Sequence, residues 1–354
     1  MPGHDIIAIG ASAGGVEALQ TLIHLLPSDL PAAVFIVLHM PAQGPSLLPK
    51  ILERVTRLHV RAAEDGAPIE HGVIYVTAPD HHLLIKRDRI QALRGPRENG
   101  HRPAVDPLFR TAAYFYGPRV VGVVLTGALD DGTAGLMAIK QCGGQALVQD
   151  PQEAFYPSMP QSAIQNVAVD AVVPLAELAE RLAELAHTPV VAPERYVAPE
   201  RIEQEIAMME MDPALQHDPN QIGQPSEFSC PECGGVLHEL HNDDIVRFRC
   251  RVGHAFSAES TLAEQAEALE TALWSALNTL EESASLSQRM ARRAQQSGRD
   301  WMARRFEEKA REAQQHAQTI REVLLKDSSE LPDAPLPGKD RDDGPRPGAT
   351  HAAN

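Results

Sequence analysis

Ile6-Ile7-Ala8-Ile9-Gly10-Ala11-Ser12-Ala13-Gly14-Gly15 is the stretch on which the reading of this chain turns. Apolar residues of strand character run into a small-residue turn with a lone hydroxyl at its centre. Val16 to Leu26 then follows with helical spacing. A serine at a strand-to-helix turn is presented above a sheet edge, with the free N–H groups of the helix start nearby. Those groups and the helix dipole favour negative charge, including the oxyanion of a tetrahedral intermediate. Two other readings stay open. A dinucleotide loop needs G-x-G-x-x-G and an acid about 20 residues further on, but the glycines here stand at 10, 14 and 15, and the next strand ends in His39. A P-loop needs Lys-Ser or Lys-Thr, and none follows. A phosphate loop of another kind, a nucleophile turn and a purely structural turn all remain compatible with this run alone.

Working outward, residues 5 to about 185 alternate short β-rich runs with helical patterns. Strands are expected at Ile6–Ile9, Val34–Leu38, His59–Ala62, Val73–Val76, Val120–Leu125, Gln145–Val148 and Ala171–Val173. Helices are expected at Val16–Leu26, Leu47–Val55, Pro107–Tyr116, Ala134–Cys142, Met159–Asn166 and Leu175–Ala186. The alternation predicts an α/β fold, a doubly wound and mostly parallel sheet with helices on both faces. Val73 to Leu93 departs from the pattern and reads as an antiparallel excursion.

The chain has 354 residues, enough for more than one domain, and a net charge of −16. That charge disfavours nucleic acid and anionic membranes as partners. No run approaches the ~18 uninterrupted apolar residues of a membrane span, and the N-terminus lacks a basic, apolar leader. A cytoplasmic protein that is not inserted in a membrane is therefore expected. The domain plan read from composition is a catalytic region over 1–187, a proline-punctuated linker over 188–226, a Cys/His module over 227–257, a helical hairpin over 258–326 and a disordered tail over 327–354. In the linker, Met208-Met209-Glu210-Met211 reads as a transient helix, with a short docking element as the other reading. In the hairpin, Leu262, Ala266, Leu269, Leu273, Ala276 and Leu280 form one expected seam, and Phe306, Ala310, Ala313, Ala317, Ile320 and Leu324 the other, with Ser297-Gly298 between them and Thr261-Leu-Ala-Glu264 as a cap.

Three chemically active side chains lie just past apolar strands. Ser12 follows the first, His39 the second, and Asp131 the Val120–Leu125 run. In open parallel sheets ligands gather at the carboxyl ends of strands. A hydroxyl, an imidazole and a carboxylate there would supply a nucleophile, a base and an orienting acid. The competing reading is a packed strand-end histidine in a chain that carries 15 of them. Asp130 is a rival to Asp131. Cys142 reads as a buried helix residue, and the adjacent His81 and His82 as surface residues.

The Cys/His module carries Cys230-Pro-Glu-Cys233-Gly-Gly and, after sixteen intervening residues, Cys250-Arg-Val-Gly-His254. Three thiolates and one imidazole make a closed tetrahedral set suited to structural zinc. Val236-Leu-His-Glu-Leu and Ile245-Val-Arg-Phe-Arg would form a hairpin between the two knuckles, as in a zinc ribbon. His238 and His241 are rival ligands to His254.

At these residues a resemblance becomes clear. Gly10-Ala-Ser-Ala-Gly-Gly15, Val37-Leu-His-Met40, Gly72-Val-Ile-Tyr-Val-Thr-Ala-Pro-Asp-His-His82, His101-Arg-Pro-Ala-Val-Asp106, Leu125-Thr-Gly-Ala-Leu-Asp-Asp-Gly-Thr-Ala-Gly135 and Ser158-Met-Pro-Gln-Ser-Ala163 resemble, in order, the motifs of the chemotaxis protein-glutamate methylesterases. The resemblance covers about residues 5 to 185. It implies Ser12 as nucleophile, His39 as general base, Asp131 as third member of the triad, and the backbone N–H groups of Ala13 and Ala128 as oxyanion hole, with no cofactor for catalysis. It implies methylated chemoreceptor helices as substrate, glutamine deamidation as a second activity, and a place in chemosensory signalling. Arg102 is a candidate substrate contact. The C-terminal helices are candidate contacts to other signalling proteins. The alternative is a methylesterase-fold scaffold that binds without catalysis. The sequence departs from the family in having Ala13 where threonine is frequent and Ala128-Leu129-Asp130 where Met-Gly-Asn is usual. It also shows no receiver domain ahead of the first strand, so regulation by an attached N-terminal receiver is not expected.

Overall fold

Strand composition dictates a sheet buried on both faces. In this computed structural model, which describes residues 3–190, 196–211, 223–240 and 245–327, the first strand β1 (Ile6–Ala11) is buried at every position. Successive strand residues point to opposite faces. Ile6 and Ala8 enter one apolar cluster, and Ile7, Ile9 and Ala11 enter the other. The elements that follow are α1 (Gly15–Leu25), β2 (Ala33–Leu38), α2 (Leu48–Glu53), β3 (His59–Ala62), β4 (Val73–Val76), β5 (His82–Lys86), β6 (Arg89–Leu93), α3 (Val105–Tyr116), β7 (Val120–Val124), α4 (Thr133–Gln141), β8 (Gln145–Gln149), α5 (Ser158–Asn166), β9 (Ala171–Val173) and α6 (Leu175–His187). Seven strands form one sheet in the order β3-β4-β2-β1-β7-β8-β9. Every pairing in it is parallel. The sheet is thus wholly parallel, and the expected excursion is the separate antiparallel pair β5–β6.

Helix α1 shows how the faces are filled. Its Ala18, Leu19, Leu22 and Ile23 recur at helical spacing, and all are buried against the β1 face that carries Ile7 and Ile9. Burying each of the larger side chains contributes about 2 kcal/mol. On the other face Gly10 has a specific task. A Cβ there would stand 2.8 Å from Val105 Cγ2, so glycine lets the start of α3 lie directly on β1.

Two compact units are distinguished, Met1–Gln265 and Ala266–Asn354. The first includes more than the α/β region. Residues 200–209, inside the stretch read as linker, form α7 (Glu200–Met209), and its Ile202, Ile206 and Met209 are buried in the same cluster as α3. This differs from the transient helix read from Met208 to Met211. Ile202, Ile206 and Met209 share one helical face, but proline-rich flanks hid that face from the sequence reading. The Cys/His module follows as an antiparallel sheet, β10 (Gln224–Ser229), β11 (Val236–Glu239), β12 (Arg247–Cys250) and β13 (Ala255–Ser257). The turn expected at 242–244 and the rival ligand His241 lie outside the described residues.

The second unit is built from α8 (Ala258–Gln296), which begins in the first unit, and α9 (Asp300–Asp327). Leu277, Ala317 and Leu324 are buried together, with Leu273, Leu280 and Ile320 packed against them. The α9 seam matches the expected spacing. On α8 the seam runs through 273, 277 and 280, so Ala276 is not part of it, and Leu262 and Leu269 are 68% and 60% exposed. The cap also lies elsewhere. Ser257 Oγ accepts from Ser260 N at 2.9 Å, and Thr261 is already inside the helix. Serine is a strong N-cap, and the strand β13 delivers it there. The tail expected from 327 falls outside the described residues from 328 onward.

Candidate active site

Strand order brings the site together. β1 lies between β2 and β7, and the chain leaves β1 in one direction and later returns to its other edge. That switch point opens a crevice at the carboxyl ends of these strands. Ser12 follows β1, His39 follows β2, and Asp131 stands in the loop after β7. His39 Nδ1 lies 3.0 Å from Ser12 Oγ, and His39 Nε2 lies 2.7 Å from Asp131 Oδ2. Three residues far apart in the chain thus form one connected row.

The surroundings fix the state of each group. Asp131 is buried and accepts four hydrogen bonds. Val105 N and His39 Nε2 donate to Oδ2, at 2.6 and 2.7 Å. Asn99 Nδ2 and Asp106 N donate to Oδ1, at 2.9 and 3.3 Å. Val105 and Asp106 begin α3, so the carboxylate sits on free N–H groups at a helix N-terminus. Burial alone would raise its pKa, but the His39 hydrogen bond and charge and the Val105 N–H outweigh that and hold it below the ordinary range. Asp106 is its buried neighbour. Burial first, and then the Asp131 charge, push its pKa up to about 7.

Above His39 lies His101, its ring stacked with centroids 3.8 Å apart. Burial and then the His39 charge lower its pKa to about 4, so at neutral pH it is a neutral ring stacked on the His39 imidazole. Neither His101 nor Asn99 was singled out as a supporting residue from sequence. The Asn99-Gly100 dipeptide is a turn signal, with Asn99 at φ 51, and His101 stood in a quoted motif; these were the available signs.

The loops around Ser12 are cross-tied. Ser12 N donates to Thr126 O at 3.0 Å, and Thr126 Oγ1 donates to Ala13 O at 3.0 Å. Gly127 N donates to Tyr156 O, and Met159 N to Gly127 O. Among the described residues no hydrogen bond from the N–H of Ala13 or of Ala128 to the protein is found. Leu129 has a φ of 59, the left-handed region that favours glycine. That is the position at which the family resemblance leads one to expect glycine. Beside Gly14 the exposed Phe155 packs edge-on to Tyr156.

Other singled-out residues have different surroundings. Arg102 is not free to reach outward. Its guanidinium donates to Asp80 Oδ1 at 2.8 Å and to Gly95 O at 2.7 Å. Asp130 accepts from Ser257 Oγ at 2.8 Å and does not contact His39. His82, expected at the surface, is fully buried and hydrogen-bonded to Pro96 O at 2.8 Å, because β5 packs against α3. Cys142 is buried, just past α4.

Cys230, Cys233, Cys250 and His254 converge, with one ligand atom from each within 4.8 Å of all the others. His254 Nδ1 is 3.7 Å from Cys230 Sγ and 3.6 Å from Cys250 Sγ, and Cys233 Sγ is 3.7 Å from Cys250 Sγ. A tetrahedral ion with ~2.3 Å bonds to sulfur has ligand–ligand edges of about 3.7 Å. The four residues form a set that can hold a metal ion. Each knuckle turns on a left-handed glycine, Gly234 and Gly253. His238 is not among the converging residues.

Comparison with known proteins finds relatives over the α/β region. Residues 7–182 match the model of the CheB methylesterase family. A putative protein-glutamate methylesterase/protein-glutamine glutaminase of Leptospira interrogans is 40% identical over 178 residues, covering 50% of this chain and 92% of that protein. Protein-glutamate methylesterase/protein-glutamine glutaminase 1 of Xanthomonas campestris is 43% identical over 185 residues, and this chain spans only 51% of its length. The crystal structure of the Thermotoga maritima CheB methylesterase catalytic domain is 33% identical, covers 51% of this chain and 98% of that domain, and has a TM-score of 0.49. By its matched region and its relation to a protein it covers almost end to end, the chain belongs to the CheB methylesterase family.

Proposed function

We propose that this chain is a serine esterase that hydrolyses the methyl esters of glutamate side chains on chemoreceptor helices, and that the same site deamidates receptor glutamines. The row Ser12–His39–Asp131, at 3.0 and 2.7 Å, is the observation that supports the proposal most. Ser12 is the nucleophile. Its Oγ attacks the ester carbonyl carbon as its proton passes to His39 Nδ1, and the carbonyl π electrons move to oxygen. Asp131 holds the Nε2–H and stabilises the imidazolium. The free N–H groups of Ala13 and Ala128 receive the oxyanion. Collapse expels the methoxy group, which takes the proton from His39 and leaves as methanol. Water then attacks the acyl-enzyme by the same route, giving glutamate and restoring Ser12. No metal enters these steps.

The catalytic assignment covers residues 1–187. The Cys/His module is proposed to hold structural zinc, supported by the tetrahedral edges above and by a hydrophobic core that, among the described residues, has five buried members, two of them ligand cysteines. Arg102 is assigned a supporting role for Asp80 and the Gly95 loop. The C-terminal hairpin is proposed to contact other chemosensory proteins in the cytoplasm. The test is methanol release from radiomethylated chemoreceptor. Ser12→Ala should reduce the rate by at least ~10⁴-fold. Equal release by both proteins would discard the esterase mechanism, and no release by either would favour the scaffold.

A further inference from the structure

The residues that support the triad do not all come from the α/β region. Asn99 is 7% exposed and uses its whole side-chain amide. On one side its Nδ2 donates to Asp131 Oδ1 at 2.9 Å and to Asp106 Oδ2 at 3.1 Å. On the other side its Oδ1 accepts from Ser257 N and from Ser260 Oγ, both at 3.0 Å. The orientation of the amide is dictated by these partners. A backbone N–H can only donate, and an ionised carboxylate can only accept, so a flipped amide would face like against like twice. Ser257 ends β13 of the Cys/His module and caps α8, and Ser260 stands in the first turn of α8. Ser257 stands three positions after His254 of the metal-binding set. Asn99 N also donates to Ala255 O at 2.8 Å, and Ser257 Oγ donates to Asp130 beside the triad acid. Glu98 and His101, flanking this turn, reach Arg249 of β12 and the ring of His39.

We propose that Asn99 is a positioning residue for Asp131, and that the Cys/His module, by gripping the far end of the Asn99 amide, holds the triad acid in line with His39. The proposal rests on the esterase reading for its kinetic consequence, though not for its geometry. An Asp131 carboxylate that loses one of its four donors rotates about its remaining bonds, and the Nε2–H of His39 loses alignment. Substrate binding need not change, so the loss belongs in kcat and not in KM. Removing a hydrogen bond to a charged group is expected to reduce kcat about tenfold or more, and removing the neutral Ser260 bond about threefold.

The experiment uses the full chain with two readouts. One is kcat and KM for methanol release from methylated receptor. The other is the far-downfield proton resonance of His39 Nε2–H, assigned by its absence in His39→Gln. Asn99→Ala should lower kcat at unchanged KM and shift or broaden the resonance. Ser260→Ala should do the same more weakly, and Ser260→Thr, which keeps the hydroxyl, should restore both. Because Ser260 acts through Asn99, the double variant should match Asn99→Ala within about twofold. Additive losses in the double variant, or a resonance unmoved in both single variants, would overturn the proposal. If Asn99→Ala does not fold, the Ser260 pair decides: an unmoved resonance and kcat in Ser260→Ala reject the coupling. A protein that releases no methanol at all defeats the esterase reading alone, since the resonance still reports the His39–Asp131 bond.

Discussion

Glu98→Gln tests what holds the Cys/His module to the α/β region. Glu98 is 1% exposed, and Arg110 of α3 grips it with two bonds of 3.1 and 3.0 Å. Arg249 of β12 adds a third at 3.1 Å. Glu205 of α7 completes the cluster, bound to Arg247 at 2.7 Å and to Arg110 at 3.1 Å. Core helix, α7 and module thus share one buried set of charges. Burial alone would raise the Glu98 pKa, but the Arg110 and Arg249 charges outweigh it and hold the group at about 2, against an ordinary 4.5. That difference corresponds to about 3 kcal/mol. Removing one partner of a buried ion pair costs about 3–5 kcal/mol by a separate route, and Arg110 keeps Glu205, so the lower end applies. Glu98→Gln should therefore destabilise the first unit by about 3 kcal/mol at pH 7. The folded pKa is depressed, so this stability is fully present above 4.5 and is lost as pH falls toward 2. Both tryptophans lie in the helical hairpin and all five tyrosines in the first unit. Urea unfolding followed by near-UV tyrosine circular dichroism thus reads the right unit. A loss below about 1 kcal/mol at pH 7, or a difference from wild type that does not shrink between pH 4.5 and 2, would refute the reasoning.

Three further outcomes are expected. Gly127→Ala places a Cβ 2.8 Å from Ser12 Cβ and against Met159 Sδ, so esterase activity should fall by about 100-fold while urea stability drops by only about 1–3 kcal/mol. Leu129→Gly should leave stability level or raise it by about 1 kcal/mol, because it relieves a left-handed leucine; a loss beyond 1 kcal/mol would contradict this. A zinc chelator should unfold β10–β13, read as loss of amide-exchange protection at Phe248 and Phe256, and elemental analysis should find about one zinc per chain.

The parallel sheet was legible because its inner strands are short apolar runs ended by small or polar residues, and the elements fall within a few residues of their expected bounds. The row of Ser12, His39 and Asp131 was legible for a different reason: all three stand at strand carboxyl ends, where a doubly wound sheet gathers its ligands. What stayed hidden depends on tertiary context. Helix α7 has an apolar face of only three buried residues, and nothing local says that Glu205 meets Arg110, Arg247 and Arg249 besides Arg201 of its own helix. The α8 seam passes through Leu277 and not Ala276 because its register is set by pairing with Ala317 and Leu324. The local sequence offers both alanine and leucine at adjacent positions. His82 looked like a surface residue beside His81, yet a buried carbonyl awaits its ring.

The choice between neighbouring acids shows how environment assigns chemistry to residues of one type. Asp106, Asp130 and Asp131 are all largely buried carboxyls within a few residues of the site, and composition cannot rank them. Asp131 receives four donors, two of them from the start of α3. Asp106 receives two, from Gly135 N at 2.6 Å and Asn99. Asp130 receives a serine hydroxyl, and burial leaves its pKa raised to about 6. Two adjacent buried carboxylates resist ionising together, so the better-solvated one takes the charge and the other keeps its proton to near neutrality. Asp131 thereby faces His39 as an anion able to stabilise an imidazolium. Above about pH 7 Asp106 ionises too, and a second negative charge arrives beside the first, met by Gly135 N in the first turn of α4 and by Asn99. Because that pKa is raised by folding, the native state is favoured by protonation, and its stability falls as pH rises toward 7 from the acid side. The starts of α3 and α4 thus hold one carboxyl each, Asp131 and Asp106, and Asn99, donating to both, joins them to the serines at the edge of the Cys/His module.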